Sequence, residues 1–261
     1  MWRSDVPRNG SEMKELRHTY DAVCSLGQWC ATAMLLKKRG LRSWSGPFDW
    51  FLGKSAGVAQ YVDLILSGAS NFMLKENLRE NGGCEADKAI YYMDTASGLE
   101  SRHDFKAGVP FEESYAKFRA RLDRRLARLR TCLRSGGKVL LVHWFGEGRC
   151  RRGDAVDAMH RLRTAFPDTV IDLLVVETEK FAKDVAYDEA EPGIVFATGD
   201  FYDQSRFDPV IGNERLVLSV LGGIRLRGRW RNLLRMKKDA IRKRLLRIFG
   251  KKGIHGSSRR R

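Results

Sequence analysis

The chain has 261 residues, of which 43% are hydrophobic and 31% charged, enough to bury the core of one ordinary globular domain. No run approaches the roughly 18 apolar residues of a membrane-crossing helix. Nor do residues 1–7 lead into an apolar core with a small-residue cleavage site, so a cytoplasmic protein without a cleaved leader is expected. The net charge of +16 is concentrated in residues 225–261, which hold 16 Lys or Arg and one acid, Asp239; the near-neutral remainder argues against a nucleic-acid-binding body.

Residues 1–19 read as a loose leader. A short apolar strand is predicted over 21–26, a turn at Gly27, and a helix over 29–39. Cys30 falls in the first turn of that helix, where unpaired N–H groups and the helix dipole favour negative charge. A thiol there titrates below its free value of about 8.5, which favours the nucleophilic thiolate. A loop then carries Pro47-Phe48-Asp49-Trp50. Apolar residues Val58, Tyr61, Val62, Ile65 and Leu66 recur at helical spacing and predict a helix over 55–67, capped by Ser55. Residues 72–86 read as irregular. Strands over 88–94 and 99–105, joined by Thr95-Ala96-Ser97-Gly98, form a hairpin with His103 near the end of its second strand. A basic helix follows over 112–134, its inner stripe Tyr115, Phe118, Leu122, Leu126, Leu129 and Leu133, its arginines a solvated face.

From Lys138 the pattern changes. Val139-Leu140-Leu141-Val142-His143 is a buried parallel strand by its unbroken apolarity. A helix over 154–166 ends at Pro167, a strand covers 169–176, a short helix 181–187 and a further strand 193–198. This alternation predicts an α/β fold: a three-layer arrangement with mainly parallel strands and a helical and hairpin insertion, about 40–135, after the first strand–helix unit. Residues 20–224 then form one catalytic-type α/β domain. Residues 225–261 form a basic tail whose Trp230, Leu233, Leu234, Ile241, Leu245, Ile248 and Phe249 make an amphipathic helix. Such a helix suits an anionic membrane surface, on the inner face of the membrane for a cytoplasmic protein.

The five cysteines, Cys24, Cys30, Cys84, Cys132 and Cys150, are odd in number and contain no Cys-x-x-Cys pair. Neither a disulfide framework nor a zinc site is expected. No phosphate-binding glycine loop or His-Glu-x-x-His motif occurs, so no cofactor or metal is expected. A cysteine nucleophile requires a base within hydrogen-bond reach and usually a group that orients the base. His103 and His143 each end a predicted strand. Asp49, between aromatics after a proline, and Asp104, beside His103, are the candidate orienters, with Asp49 preferred because strand neighbours face opposite sides. Gln28, Gly27 and the backbone N–H groups near Cys30 are candidates for an oxyanion hole, and Trp50 for a pocket wall.

Three ordered blocks, Ser25-Leu26-Gly27-x-x-Cys30 with Gly40-Leu41-Arg42, then Pro47-Phe48-Asp49-Trp50, then Arg102-His103-Asp104-Phe105, give the chain a resemblance to an uncharacterised bacterial family described as papain-like cysteine peptidases. The resemblance spans roughly residues 20–145. It implies Cys30 as nucleophile and His103 as its partner, with His143 in reserve, and an acyl or peptide substrate. The papain architecture joins a helical half to an antiparallel barrel, whereas the second half here reads as parallel α/β; an esterase-like α/β fold also sets its nucleophile just after the first strand. Two further readings stand beside peptide hydrolysis. One is acyl transfer to a sugar, since a capsule-biosynthesis acetyltransferase-like family has a comparable cysteine. The other is a glycan- or nucleotide-sugar-binding protein of surface polysaccharide assembly in which Cys30 is structural.

Overall fold

A strand buried on both faces divides its side chains between two cores, and the central strands of this chain do so. The computed structural model describes residues 16, 18–27, 30–53, 57–86, 88–145, 150–201 and 213–228. In chain order the first elements are strands Thr19–Tyr20 (β1) and Ala22–Ser25 (β2), helix Cys30–Lys38 (α1), strand Phe51–Leu52 (β3) and helix Val58–Ser67 (α2). Strands Leu78–Cys84 (β4), Ala89–Asp94 (β5) and Glu100–Lys106 (β6) precede the long helix Phe111–Leu133 (α3). Strand Lys138–Phe145 (β7), helix Arg152–Ala165 (α4) and strands Val170–Thr178 (β8), Ala186–Glu191 (β9) and Ile194–Gly199 (β10) follow. Helix Glu214–Val220 (α5) and strand Arg225–Leu226 (β11) complete the described chain.

The larger sheet has the order β2-β7-β8-β10-β9. Its first three pairings are parallel and only β9 runs antiparallel, against β10. Cys24, Leu141, Leu173 and Phe196 face one cluster together with α2, α3 and α4. Val23, Leu140, Leu174 and Val195 face another, together with α1 and α5. The protein is therefore a mixed α/β fold with a mainly parallel sheet. Between α1 and β7 the chain builds a second, antiparallel sheet of order β3-β6-β5-β4. Asp94 fixes its hairpin: the carboxylate accepts hydrogen bonds from the Ser97 hydroxyl at 2.8 Å, Met73 N–H at 3.0 Å and Ala96 N–H at 3.1 Å.

Several elements differ from the sequence reading. Residues 72–86 contain β4, an edge strand whose side chains are mostly exposed and which is held by its backbone pairing with β5, with a register shift between Glu80 and Gly83. No helix forms over 181–187. Phe181 has a left-handed φ of 67° and is 91% exposed, and residues 186–191 instead add β9 to the free edge of β10. The N-cap of α2 is Gly57, not Ser55. Leu16 is buried, and β1 pairs in parallel with β11, Thr19 beside Arg225 and Tyr20 beside Leu226. The Tyr20 hydroxyl donates to Asp172 at 2.8 Å, with Lys138 3.2 Å from the same carboxylate, fastening this ladder to the main sheet. The amphipathic helix of residues 230–249 lies outside the described residues.

His143 lies within β7, wholly buried, with its ring centroid 5.5 Å from that of Tyr61. Burial holds its pKa down at about 4, and a backbone contact with Leu26 offsets part of the shift. The unfolded chain binds a proton at this histidine below about 6.5, the folded chain only below about 4. Between those values the unfolded state holds more protons, so stability must fall as pH falls through that window. Urea unfolding between pH 7 and pH 4 should show this contribution with a slope approaching about 1.4 kcal/mol per pH unit, and His143→Gln should remove it. A pH slope identical in wild type and variant would assign the acid sensitivity to other groups.

Candidate active site

The turn after β2 is shaped by a glycine with no substitute. Leu26 N–H bonds to Val142 O at 2.8 Å, which extends the β2–β7 ladder to its last rung. Gly27 then turns with φ of +81°, and its N–H bonds back to the Ser25 hydroxyl at 3.0 Å. A Cβ at Gly27 would lie 2.9 Å from the Tyr61 hydroxyl oxygen. Both the backbone angle and the packing therefore demand glycine. Helix α1 starts at Cys30, whose side chain is half-buried, and the Thr32 hydroxyl reaches back to Gly27 O at 3.4 Å. Gln28 lies outside the described residues.

Burial distinguishes the other thiols. Cys24 is buried in the core, and burial pushes its thiol well up, with Cys132 and Asp49 adding to the rise. Burial also raises Cys132 against an opposing Arg128, and Cys150 against an opposing Val58 backbone N–H. A raised thiol is mostly protonated at neutral pH and inert. Cys30 differs by position: it opens a nine-residue helix, and like Cys84 and Cys132 it keeps part of its surface exposed.

Asp49 is 1% exposed. Its carboxylate accepts hydrogen bonds from Arg42 Nε at 2.9 Å and Gly46 N–H at 2.8 Å, and the second Arg42 nitrogen bonds it as well. Burial, the largest influence, raises the Asp49 carboxyl; Arg42, the Gly46 N–H and the Arg125 charge offset part of that rise, and the paired geometry is that of a salt bridge. The same Arg42 guanidinium lies 5.6 Å from the Trp50 ring centroid. Trp50 in turn meets the exposed His103 edge-on, with ring centroids 5.4 Å apart. Asp104 on β6 is engaged elsewhere, by Arg121 of α3 at 2.8 Å and the Ser101 hydroxyl at 2.9 Å. Phe48 links the two halves: its ring packs on Tyr61 at 5.1 Å, and Tyr61 covers Gly27.

Thus His103 is brought against Trp50, and Asp49 is one contact behind Trp50 through Arg42. The sequence reading did not anticipate the arginines. Arg121 binds Asp104, Arg130 donates to Ile65 O at 2.7 Å, and Arg119 donates to Phe72 O. The solvated face expected of α3 is kept by Arg124 and Arg128, while these others turn to the protein. The four-residue spacing of Arg121 and Arg125 was the available signal. Tyr61 was legible only as an apolar stripe position of α2. Among the described residues, no group of three His, Cys, Asp or Glu side chains could hold a metal ion, and no helix is long and apolar enough to cross a membrane.

An α/β protein with a half-buried cysteine opening the helix after its first sheet strand, and a histidine-bearing antiparallel insertion, is the class defined by these features. The chain belongs to the family described as "Putative papain-like cysteine peptidase (DUF1796)", whose model matches residues 21–168, more than half its length. Neither the curated proteins nor the solved structures give a significant match.

Breaking a buried ion pair from one side leaves an uncompensated charge. Asp49→Ala should therefore lower the unfolding free energy by about 3–5 kcal/mol. Replacing both partners, Arg42→Met with Asp49→Leu, should recover most of that loss. Denaturant unfolding of the three proteins measures both effects, and a single-variant loss below about 1 kcal/mol would place the pair in the class of weak surface bridges.

Proposed function

We propose that the protein is a cysteine hydrolase acting on an amide bond of a peptide-like substrate, with Cys30 as nucleophile and His103 as general acid and base. The observation that carries this reading is the position of Cys30 as first residue of α1, after the Gly27 turn, within the matched family region. The five-stranded sheet is read here as the middle of three layers, an interpretation supported by its two clusters of side chains. In such folds the loops beyond the carboxyl ends of parallel strands form the site, which is where Cys30 stands.

The Cys30 thiolate attacks the carbonyl carbon, and the amide oxygen takes up the negative charge. Backbone N–H groups of the first turn of α1, with Gln28, stabilise that oxyanion. As the C–N bond breaks, His103 gives its proton to the leaving amine. Water then attacks the thioester carbonyl and gives a proton to His103, the C–S bond breaks, and the carboxylic acid leaves with the Cys30 thiolate and protonated His103 restored. His103 is favoured over His143 as base because His143 is fully buried and held weakly basic. Asp49 acts as a positioning residue, since Arg42 holds Trp50 against His103. Asp104 is the alternative orienter, and its engagement with Arg121 weighs against it.

Iodoacetamide labelling followed by mass spectrometry tests the thiol without knowledge of the substrate. Cys30 should be the first cysteine alkylated, with an apparent pKa below the free-thiol value of about 8.5, and His103→Gln should raise that pKa. Alkylation of Cys30 no faster than a model thiol at pH 7 would remove the case for a nucleophile.

The basic segment bears on location. Residues 229–261 hold 14 Lys or Arg and one acid, and each basic residue near an anionic bilayer contributes about 1 kcal/mol to binding. This supports peripheral docking on the inner face of a membrane. Truncation after Gly228 preserves the β1–β11 ladder and should abolish co-sedimentation with anionic vesicles. Equal sedimentation of full-length and truncated chains would reject the anchor.

A further inference from the structure

Three guanidinium groups, those of Arg42, Arg121 and Arg125, surround two carboxylates beside His103. Arg42 is committed to Asp49 and Arg121 to Asp104. Arg125 lies one turn of α3 beyond Arg121, on the same side of the helix and flanking the buried Leu122 and Leu126. Its charge is attracted by Asp104 and Asp49 and repelled by Arg121 and Arg42, in keeping with its place on α3 one turn from the Arg121 that holds Asp104. Yet among the described residues no hydrogen-bond or ion-pair partner within 4 Å is found for it. Arg125 is also half-buried, and none of its nitrogens is among the described buried polar atoms that lack a partner, so they keep contact with solvent.

A guanidinium with no protein partner that still reaches solvent can take a ligand from it. The cluster has three cations against two anions, and the cations beyond it on α3, Arg124 and Arg128, add to the same sign. The excess of one positive charge within the cluster matches a singly charged ligand. The fork of the guanidinium matches a planar carboxylate through two parallel hydrogen bonds; at Asp49 a guanidinium already holds a carboxylate in the same cluster, with both Arg42 nitrogens on the one oxygen Oδ2. The location matters as well: Arg42 touches Trp50, and Trp50 touches His103.

We infer that Arg125 is a carboxylate-binding subsite, backed by Arg121 and Arg42, that takes an anionic carboxylate group of the substrate on the His103 side of the site. The assignment of that carboxylate to the substrate rests on the Cys30 reading; the anion site itself does not. The substrate class is thereby narrowed to peptide-like molecules with a free carboxylate near the bond attacked.

The probe is N-acetylglycine, a monocarboxylate with one amide, compared with neutral N-acetylglycinamide and inorganic phosphate. The arginine Nε–H resonance missing from the NMR spectrum of Arg125→Gln identifies the Arg125 signal in the wild-type protein. This signal should move on titration with N-acetylglycine and stay in place with the amide. Arg125→Gln should weaken N-acetylglycine binding about tenfold, the loss of one charged hydrogen-bonded contact. Arg125→Lys, which keeps the charge and loses the fork, should lose less. Cys30→Ser should bind the probe as wild type does, so failure of the nucleophile reading leaves this result standing. The bound probe should slow alkylation of wild-type Cys30. If Arg125→Gln does not fold, the wild-type comparison of acid and amide, together with Arg125→Lys, decides. Equal shifts from acid and amide, phosphate binding as tight as the carboxylate, or undiminished binding in the variants would each overturn the anion site, and an unchanged Cys30 alkylation rate would overturn its assignment to the substrate.

Discussion

The buried pair of Arg42 and Asp49 is the joint on which the proposed site depends. It lies in the loop that leaves α1 and enters β3, where the parallel sheet hands the chain to the antiparallel insertion. Asp49 is removed from water, so its charge must be answered locally. The answer comes from Arg42 and the Gly46 N–H. That arrangement fixes the direction of the loop, and with it Phe48 against Tyr61 and Trp50 against His103. The buried acid thus sets the register between two sheets that share no strand.

From this joint the division of labour follows. The parallel sheet supplies a rigid base for the Gly27 turn and α1, because β2 is continued by the Leu26–Val142 rung and covered by Tyr61. The insertion carries His103, on a strand of a separate sheet. Cys24, Cys132 and Cys150 are buried enough to be pushed toward the protonated form. The same burial that builds the core therefore limits thiol reactivity to few positions.

Helix α3 joins these parts a second time. Its apolar stripe, Phe118, Leu122, Leu126 and Leu129, packs into the larger core. The arginines beside that stripe bond to acids and carbonyls of the insertion. A helix with so many basic residues would repel itself in isolation. Here its inward cations are distributed over Asp104 and the carbonyls of Phe72, Ile65 and Leu66, while Arg125 lies in the field of Asp49 and Asp104.

Periodicity in the sequence alone determined the central strands of the parallel sheet, the helices α1, α3 and α4, the hairpin and the glycine turn before Cys30. Those features record local burial, and burial leaves a pattern of apolar residues at spacings of two or about three and a half. The three motif blocks likewise determined the family. Only the tertiary structure decided the rest. The edge strands β4 and β9 carry almost no apolar pattern, because they exist through backbone hydrogen bonds to a neighbour rather than through buried side chains. The pairing of β1 with β11 joins residues about two hundred positions apart, which no local window contains. The roles of Arg42, Arg121 and Arg125 were hidden for the same reason. A charged side chain reads as solvent-facing until a distant acid is brought beside it, and the partners of these arginines are set by how the two sheets meet.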